Sequence, residues 1–276
     1  MSLQHSVVAT PQRKKRGADK VLNATVTFWF TVAVAGQWLF AYYVTAFYGG
    51  AALQGDLMKW NQVLPHGYTP GETMGNLAVA IHLLLAVIMM VGGPLQFIPQ
   101  LRTRARSFHR WNGRLYIITA FVISFSGVYM VLSKGTVSGL IGDISVSING
   151  ILIMLFAALA WRTAVARKFD AHRRWVLRLF LVVNGVWFFR IGLMLWLFIH
   201  GGPVGFDPET FRGPFLIFLG FGQYVIPLII LELYLYVQNN SGALGRILMA
   251  TGFGVLTILM GIGIFAATMG MWLPRI

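Results

Sequence analysis

The chain has 276 residues, 57% of them hydrophobic and 11% charged, with no Cys and a mean hydropathy of +0.70. Soluble domains carry about 25% charged residues, so this composition cannot cover a soluble surface, and the same shortage of charge excludes a disordered chain or a coiled coil. What remains is a polytopic all-α membrane bundle. The net charge of +14, from 22 Lys and Arg against 8 Asp and Glu, is then a question about the two sides of a bilayer rather than about nucleic acid, which is not expected as a partner.

Residues 1–21 read as a basic tail containing Arg13, Lys14, Lys15, Arg16 and Lys20. Ala33-Val34-Ala35 resembles a signal cleavage site, but apolar sequence continues to about Tyr48, which is too long for a signal core, so an uncleaved first span is expected. A span needs about 20 apolar residues. Seven stretches qualify, at about 22–48, 76–98, 115–133, 146–166, 175–199, 214–237 and 247–270. They form a single transmembrane domain over 22–276, with core helices over about 76–237 and peripheral first and last spans. With the N-terminus in the cytoplasm, 17 of the 22 Lys and Arg fall on the cytoplasmic side. Only Lys59, Lys134, Arg212 and Arg275 fall opposite, and Arg190 lies inside the fifth span. The positive-inside rule therefore predicts seven helices, N-terminus in and C-terminus out, with the basic face against anionic lipid headgroups.

Ionisable groups inside spans are the expensive residues. His82 lies in the second span, roughly 9 Å below its outer edge at 1.5 Å per residue. Its helical face continues through Ala86, Met89, Gly93 and Gln96, small enough in part for a helix or a flat ligand to approach closely. Arg190 sits in the outer part of the fifth span. If that helix is continuous, His172 and Arg190 share one face, about 27 Å apart. Arg190 requires an anion or several carbonyls: it snorkels, pairs, or recognises an anionic ligand group. Glu232, near the inner end of the sixth span, is matched by Arg178 or Arg114 as a salt-bridge partner, or serves as a proton relay. Gln37, Gln96, Asn149, Asn184 and Gln223 read as interhelical hydrogen-bonders.

Two cytoplasmic loops enter the next helix alike. One reads His109-Arg110-Trp111-Asn112-Gly113-Arg114-Leu115-Tyr116, the other His172-Arg173-Arg174-Trp175-Val176-Leu177-Arg178-Leu179-Phe180. Each gives His-Arg, a Trp, then Arg-Leu-aromatic, as a duplicated two-helix unit would. If the third and fifth helices are neighbours, His109 and His172 enter the membrane at one depth. Two His so placed can ligate a haem b iron, with Arg110, Arg114, Arg173, Arg178 and Arg190 on propionates or other anions. His82 would be an outer metal ligand or quinone contact, paired with His66 or His200, completing a path to a quinone or redox partner. Alternatively, the His-Arg starts anchor the helices to headgroups.

These residues carry a resemblance. His82, Gly93, Gln96, Phe97 and Arg102, then His109, Arg110, Gly113, Arg114 and Tyr116, then His172, Arg173, Arg174, Trp175 and Arg178, and then Arg190, together resemble an uncharacterised bacterial family of predicted multi-pass membrane proteins. The likeness covers about residues 76–200 and departs at Val176, where Met is usual. It implies a helical inner-membrane protein and supplies no activity. A looser similarity to the cytochrome b561 and ferric-reductase architecture is an analogy of paired His across helices.

Walker, dinucleotide-binding, HExxH and GxSxG motifs are absent, which removes support for ATP-driven pumps and hydrolases. The readings in play are a haem-b electron carrier, and so a membrane oxidoreductase; a transporter or small-molecule-binding protein with a polar cavity near His82, Arg190 and Glu232; and a non-catalytic assembly or scaffold subunit. Broken helices would favour the transporter, and Gly92-Gly93-Pro94 offers a site for a break in the second span.

Overall fold

A computed structural model describes residues 11–64 and 66–276. Part of the expected basic tail, residues 1–10, lies outside the described residues. Helix α1 (Pro11–Val44) continues through a π-helical turn, Thr45–Gly49, into the short α2 (Gly50–Leu53). Its 34 residues make a rod of about 51 Å, longer than the roughly 30 Å hydrocarbon core. From Pro11 onward the basic tail is therefore the surplus of the first span, not a separate segment. After a 3-10 turn at Leu57–Gln62 come α3 (Thr73–Leu95), α4 (Pro99–Arg104), α5 (Arg106–Lys134), α6 (Gly139–Val165), α7 (Phe169–Val183), α8 (Gly185–His200), α9 (Pro214–Asn240) and α10 (Ala243–Ala267). Among the described residues there is no strand, only an isolated bridge between Asp207 and Arg212.

Six helices are long and apolar enough to cross a membrane, and α7 with α8, bent by 51° at their junction, counts as a seventh when the pair is taken as one span. The protein is thus the all-α polytopic bundle that the hydropathy predicts. Large apolar side chains face outward along it, among them Phe28, Leu84, Phe125, Leu155, Phe218 and Ile258. In water such a surface would aggregate; in a bilayer it is the lipid face.

The break falls at Asn184, not at Gly92-Gly93-Pro94. Helix α3 runs unbroken to Leu95 and holds Pro94 in its last turn. At Asn184 the backbone leaves helical geometry (φ −86°, ψ 9°), and the side-chain Nδ2 donates to the Phe180 carbonyl at 2.7 Å. Asn184 is therefore a cap within its own span rather than an interhelical link, and His172 and Arg190 do not share one continuous helix.

The first and last spans are not peripheral. Helices α1 and α10 make the most extensive helix pair of the fold, and α10 also packs closely on α8. Ala33, Phe40 and Tyr43 of α1, Ile264 and Ala267 of α10, and the fully buried Trp187 of α8 form one core. Small residues make the approach possible: a methyl group at Gly263 would lie 2.6 Å from the Ile191 carbonyl oxygen. At the basic end, Arg246 is only 4% exposed and donates to the carbonyls of Ser241 and Gln238, each at 2.8 Å. It also pairs with Asp19 at 2.7 Å, tying α10 to α9 and α1.

Because the atom facing Gly263 is backbone and cannot rotate away, Gly263→Leu should separate α10 from α8. We expect a loss of about 3 kcal/mol or more, as for severe overpacking, read as a lower melting temperature of the detergent-purified protein.

Candidate functional site

At the basic end, His109 and His172 occupy the same helical position. Each backbone N–H bonds the carbonyl of the residue preceding its helix, Ala105 at 3.0 Å and Lys168 at 2.9 Å. The two helix starts then share the register Trp-x-x-Arg-Leu-aromatic. Arg114 lies 5.0 Å over the Trp111 ring and Arg178 lies 4.6 Å over the Trp175 ring. The repeat in sequence is thus a repeat in local structure, an Arg laid on the Trp one turn earlier.

Most of the remaining motif residues join helices. A methyl group at Gly93 would sit 2.9 Å from the Tyr116 ring, so the glycine lets α3 and α5 meet. Asn112 donates to the Gly92 carbonyl at 2.9 Å, and Gln96 donates to the His109 carbonyl at 3.4 Å. His172 Nδ1 donates to the Ala160 carbonyl at 2.9 Å, tying α7 back to α6. His109 Nδ1 is buried without a partner, and the two imidazoles lie within electrostatic range of each other.

Of the arginines expected around this pair, Arg178 is committed to an acid. Arg178 is held by Glu232 through two hydrogen bonds, Nε to Oε1 at 2.7 Å and Nη2 to Oε2 at 2.9 Å. Arg110, Arg114 and Arg173 are exposed, and Arg190 lies on a different helix in the other half of the span. Among the described residues no group of three or more His, Asp or Glu converges on a point suited to a metal.

His82 donates from Nδ1 to Ser126 Oγ at 3.2 Å, since the Ser126 hydroxyl hydrogen is given to the Ile123 carbonyl. Gly127 leaves room for the ring, so the small-residue face expected near His82 accommodates α5. Neither expected outer partner hydrogen-bonds to His82, and the His200 ring is engaged elsewhere. His200 stacks on Trp196 at 3.9 Å and bonds its carbonyl, while the His66 carbonyl takes a hydrogen bond from Lys134.

Arg190 lies inside a span without a counter-charge among the described residues. Its Nη1 donates to the Val186 carbonyl of its own helix at 3.3 Å, and its guanidinium lies 5.1 Å over the Phe40 ring. Tyr43 and Tyr48 lie within electrostatic range of it and also of Arg275, and no acid among the described residues is at ion-pairing distance of Arg190. Arg190 lines a cavity of about 550 Å³ together with Arg212 and Arg275. Its lining also includes Gln62 and Thr136, and at its deep, buried end Ser145 and Gln223, 2% and 5% exposed, with Gln223 beside the break in the fifth span. Of the nearby acids, Asp143 accepts the Thr136 backbone N–H at 2.7 Å. Asp207 is taken up by the Glu209 N–H and the Thr210 hydroxyl, which hold its carboxyl below the usual carboxylate range. Glu232, bound to Arg178, is not part of this cavity, and neither is His82.

The break itself is polar. A methyl group at Gly185 would lie 2.9 Å from Asn149 Nδ2 and 3.5 Å from Gln223 Oε1. Asn149 and Gln223 are 6% and 5% exposed, and an oxygen of each has no partner. Sequence reasoning passed over Asn184-Gly185 and the gathering of Arg212 and Arg275 beside Arg190. The first carried a signal, since Asn-Gly is a turn dipeptide even inside an apolar run. The second depends on tertiary placement alone.

Removing either member of the Arg178–Glu232 pair should destabilise the protein. A double-mutant cycle with Arg178→Ala and Glu232→Ala should return a coupling of about 1 kcal/mol, because the geometry is two-pronged although Glu232 is half exposed. Melting temperatures of the four proteins would measure it.

No curated protein and no solved structure matches the chain. A family profile does, over residues 79–235, from the first turns of α3 almost to the end of α9. That stretch holds His82, His109, His172, Arg190 and Glu232 and exceeds half of the 276 residues. The chain belongs to the family described as predicted membrane protein DUF2306.

Proposed function

We propose that this integral membrane protein binds a small anion, a carboxylate or a phosphate, in the cavity of Arg190, Arg212 and Arg275, as a transporter or a non-enzymatic binding protein. The carrying observation is Arg190: a permanent cation inside a span, with one carbonyl and one ring for company, lining the same cavity as two more arginines. Arginine keeps its charge at any physiological pH, so the cavity is a standing positive potential into which an anion fits. Helix α8 begins at the deep end, which adds the positive end of its dipole there. Placement in a bacterial cytoplasmic membrane with the N-terminus inside belongs to this proposal and rests on the distribution of Lys and Arg. The cavity then opens outward, and the basic face meets anionic lipid headgroups.

The test is a thermal-shift titration of the detergent-purified protein with propionate, succinate and inorganic phosphate. Ligand at 100 times its Kd adds about 2.7 kcal/mol, roughly 5 °C or more for a chain of this size. Arg190→Gln should abolish the shift. No response to any anion, or an equal response in the variant, would refute the reading.

A second reading keeps haem b at the basic end, on His109 and His172. It is supported by the electrostatic proximity of the two imidazoles and by the His172 Nδ1 bond to a carbonyl, which leaves Nε2 free as in metal-bound His. The commitment of Arg178 to Glu232 and the exposure of Arg110, Arg114 and Arg173 weigh against it. Under this reading the protein purified from haem-replete cells shows a Soret band that His172→Ala removes. A colourless preparation rejects it. The scaffold reading has no particular observation in its favour.

A further inference from the structure

The anion cavity has a neighbour. Gln223, which lines its deep end, also lines a second cavity of about 800 Å³. This one continues toward the basic end between α1, α7, α9 and α10, as far as Gln100 and Arg173. Its walls are rings: Phe97 meets Phe180 edge-on at 5.0 Å and Phe30 at 5.6 Å, with Tyr234 and Phe253 further along. Gly192 and Gly222 lie in the wall close to Gln223, adding breadth there. Gln223 stands between the two spaces, 5% exposed, with Nε2 donating to the Gly220 carbonyl at 2.7 Å and Oε1 unpartnered.

The two spaces have opposite chemistry. The first holds three arginines without an acid paired to Arg190; the second is aromatic and aliphatic. An inorganic anion would use only the first, and an ordinary lipid chain only the second. A molecule that uses both carries one anionic group on one long apolar chain. The geometry points to a single-chain carboxylate amphiphile as the ligand, with its carboxylate on Arg190 and its chain passing Gln223 into the aromatic groove. This rests on the anion-binding reading above and narrows its ligand class. Gln223, the residue common to both linings, lies beside the break in the fifth span, so its side chain is the one such a ligand would have to pass.

Three probes separate the possibilities on the full chain in detergent, followed by melting temperature and native mass spectrometry: dodecanoate, dodecanol and propionate. Dodecanoate should bind at least about tenfold more tightly than propionate, since each methylene moved out of water is worth up to about fourfold. It should also exceed dodecanol by about tenfold or more, the value of a charge-assisted Arg bond. Arg190→Gln should bring dodecanoate down to the level of dodecanol. Leu256→Trp and Ile230→Trp each add a ring to the groove and should weaken dodecanoate by about tenfold while leaving propionate unchanged. Propionate binding as tightly as dodecanoate would overturn the inference and leave the anion site standing. Dodecanol equal to dodecanoate would make the groove a lipid-chain surface only, and would also overturn it. Failure of both anions would remove the anion site as well. If both ring variants unfold, the wild-type comparison of the three probes decides alone.

Discussion

In hydrocarbon every backbone N–H and C=O must find its partner within the protein, because there is no water to supply one. Six spans meet this demand simply by being helices. The fifth does not, and the rest of the molecule is arranged around that exception. At Asn184 the helix stops, and the amide side chain reaches back to the Phe180 carbonyl. Gly185 has no side chain, so Asn149 from α6 and Gln223 from α9 can close on the backbone. The resulting bend sets the direction of α8, and with it the place where Arg190 meets Phe40 and the cavity. A straight span would carry Arg190 on the same face as His172.

The basic end is organised by a different economy, a helix start used twice. In both copies a His follows the helix N-cap by four residues, a Trp lies beneath an Arg one turn on, and an aromatic side chain closes the unit in the core. The copies then diverge in what they hold. Tyr116 fills the contact with Gly93 on α3, whereas Phe180 joins a ring cluster with Phe30 and Phe97. Their arginines diverge too: Arg114 faces outward, and Arg178 turns to Glu232. One local solution to entering a membrane thus serves one purely structural joint and one wall of a cavity.

Much of the fold was legible in the sequence because hydropathy and charge act locally. The spans emerge from runs of apolar residues, and the Arg178–Glu232 pair from two charges expected at one depth. The small-residue faces of His82 and Gly93 also found their meaning in close helix packing. The bend was not read, because the apolar run 175–199 hides an Asn-Gly step that would mark a turn anywhere else. The central place of α1 and α10 was not read either, since it depends on Ala33, Trp187 and Ile264 meeting across more than two hundred residues of chain. For the site, the oddness of Arg190 was visible and its surroundings were not. Arg212 and Arg275 sit in loop and terminal positions where a cation needs no explanation, until the fold turns them toward the same space.

The halves of the fifth span belong to different neighbours. Helix α7 packs above all on α6, whereas α8 packs above all on α10, which is itself held by α1, and both halves touch α9. The span is therefore a suture between two groups of helices, and its angle is the stitch. Together the halves hold 31 residues, about 46 Å of helix if laid straight, more than the roughly 30 Å a bilayer offers. A thicker membrane favours a longer, straighter span and a thinner one a sharper angle. Bilayer thickness would thus act on the chamber beside Gln223 as a mechanical input, making lipid composition a variable of the site as well as its solvent.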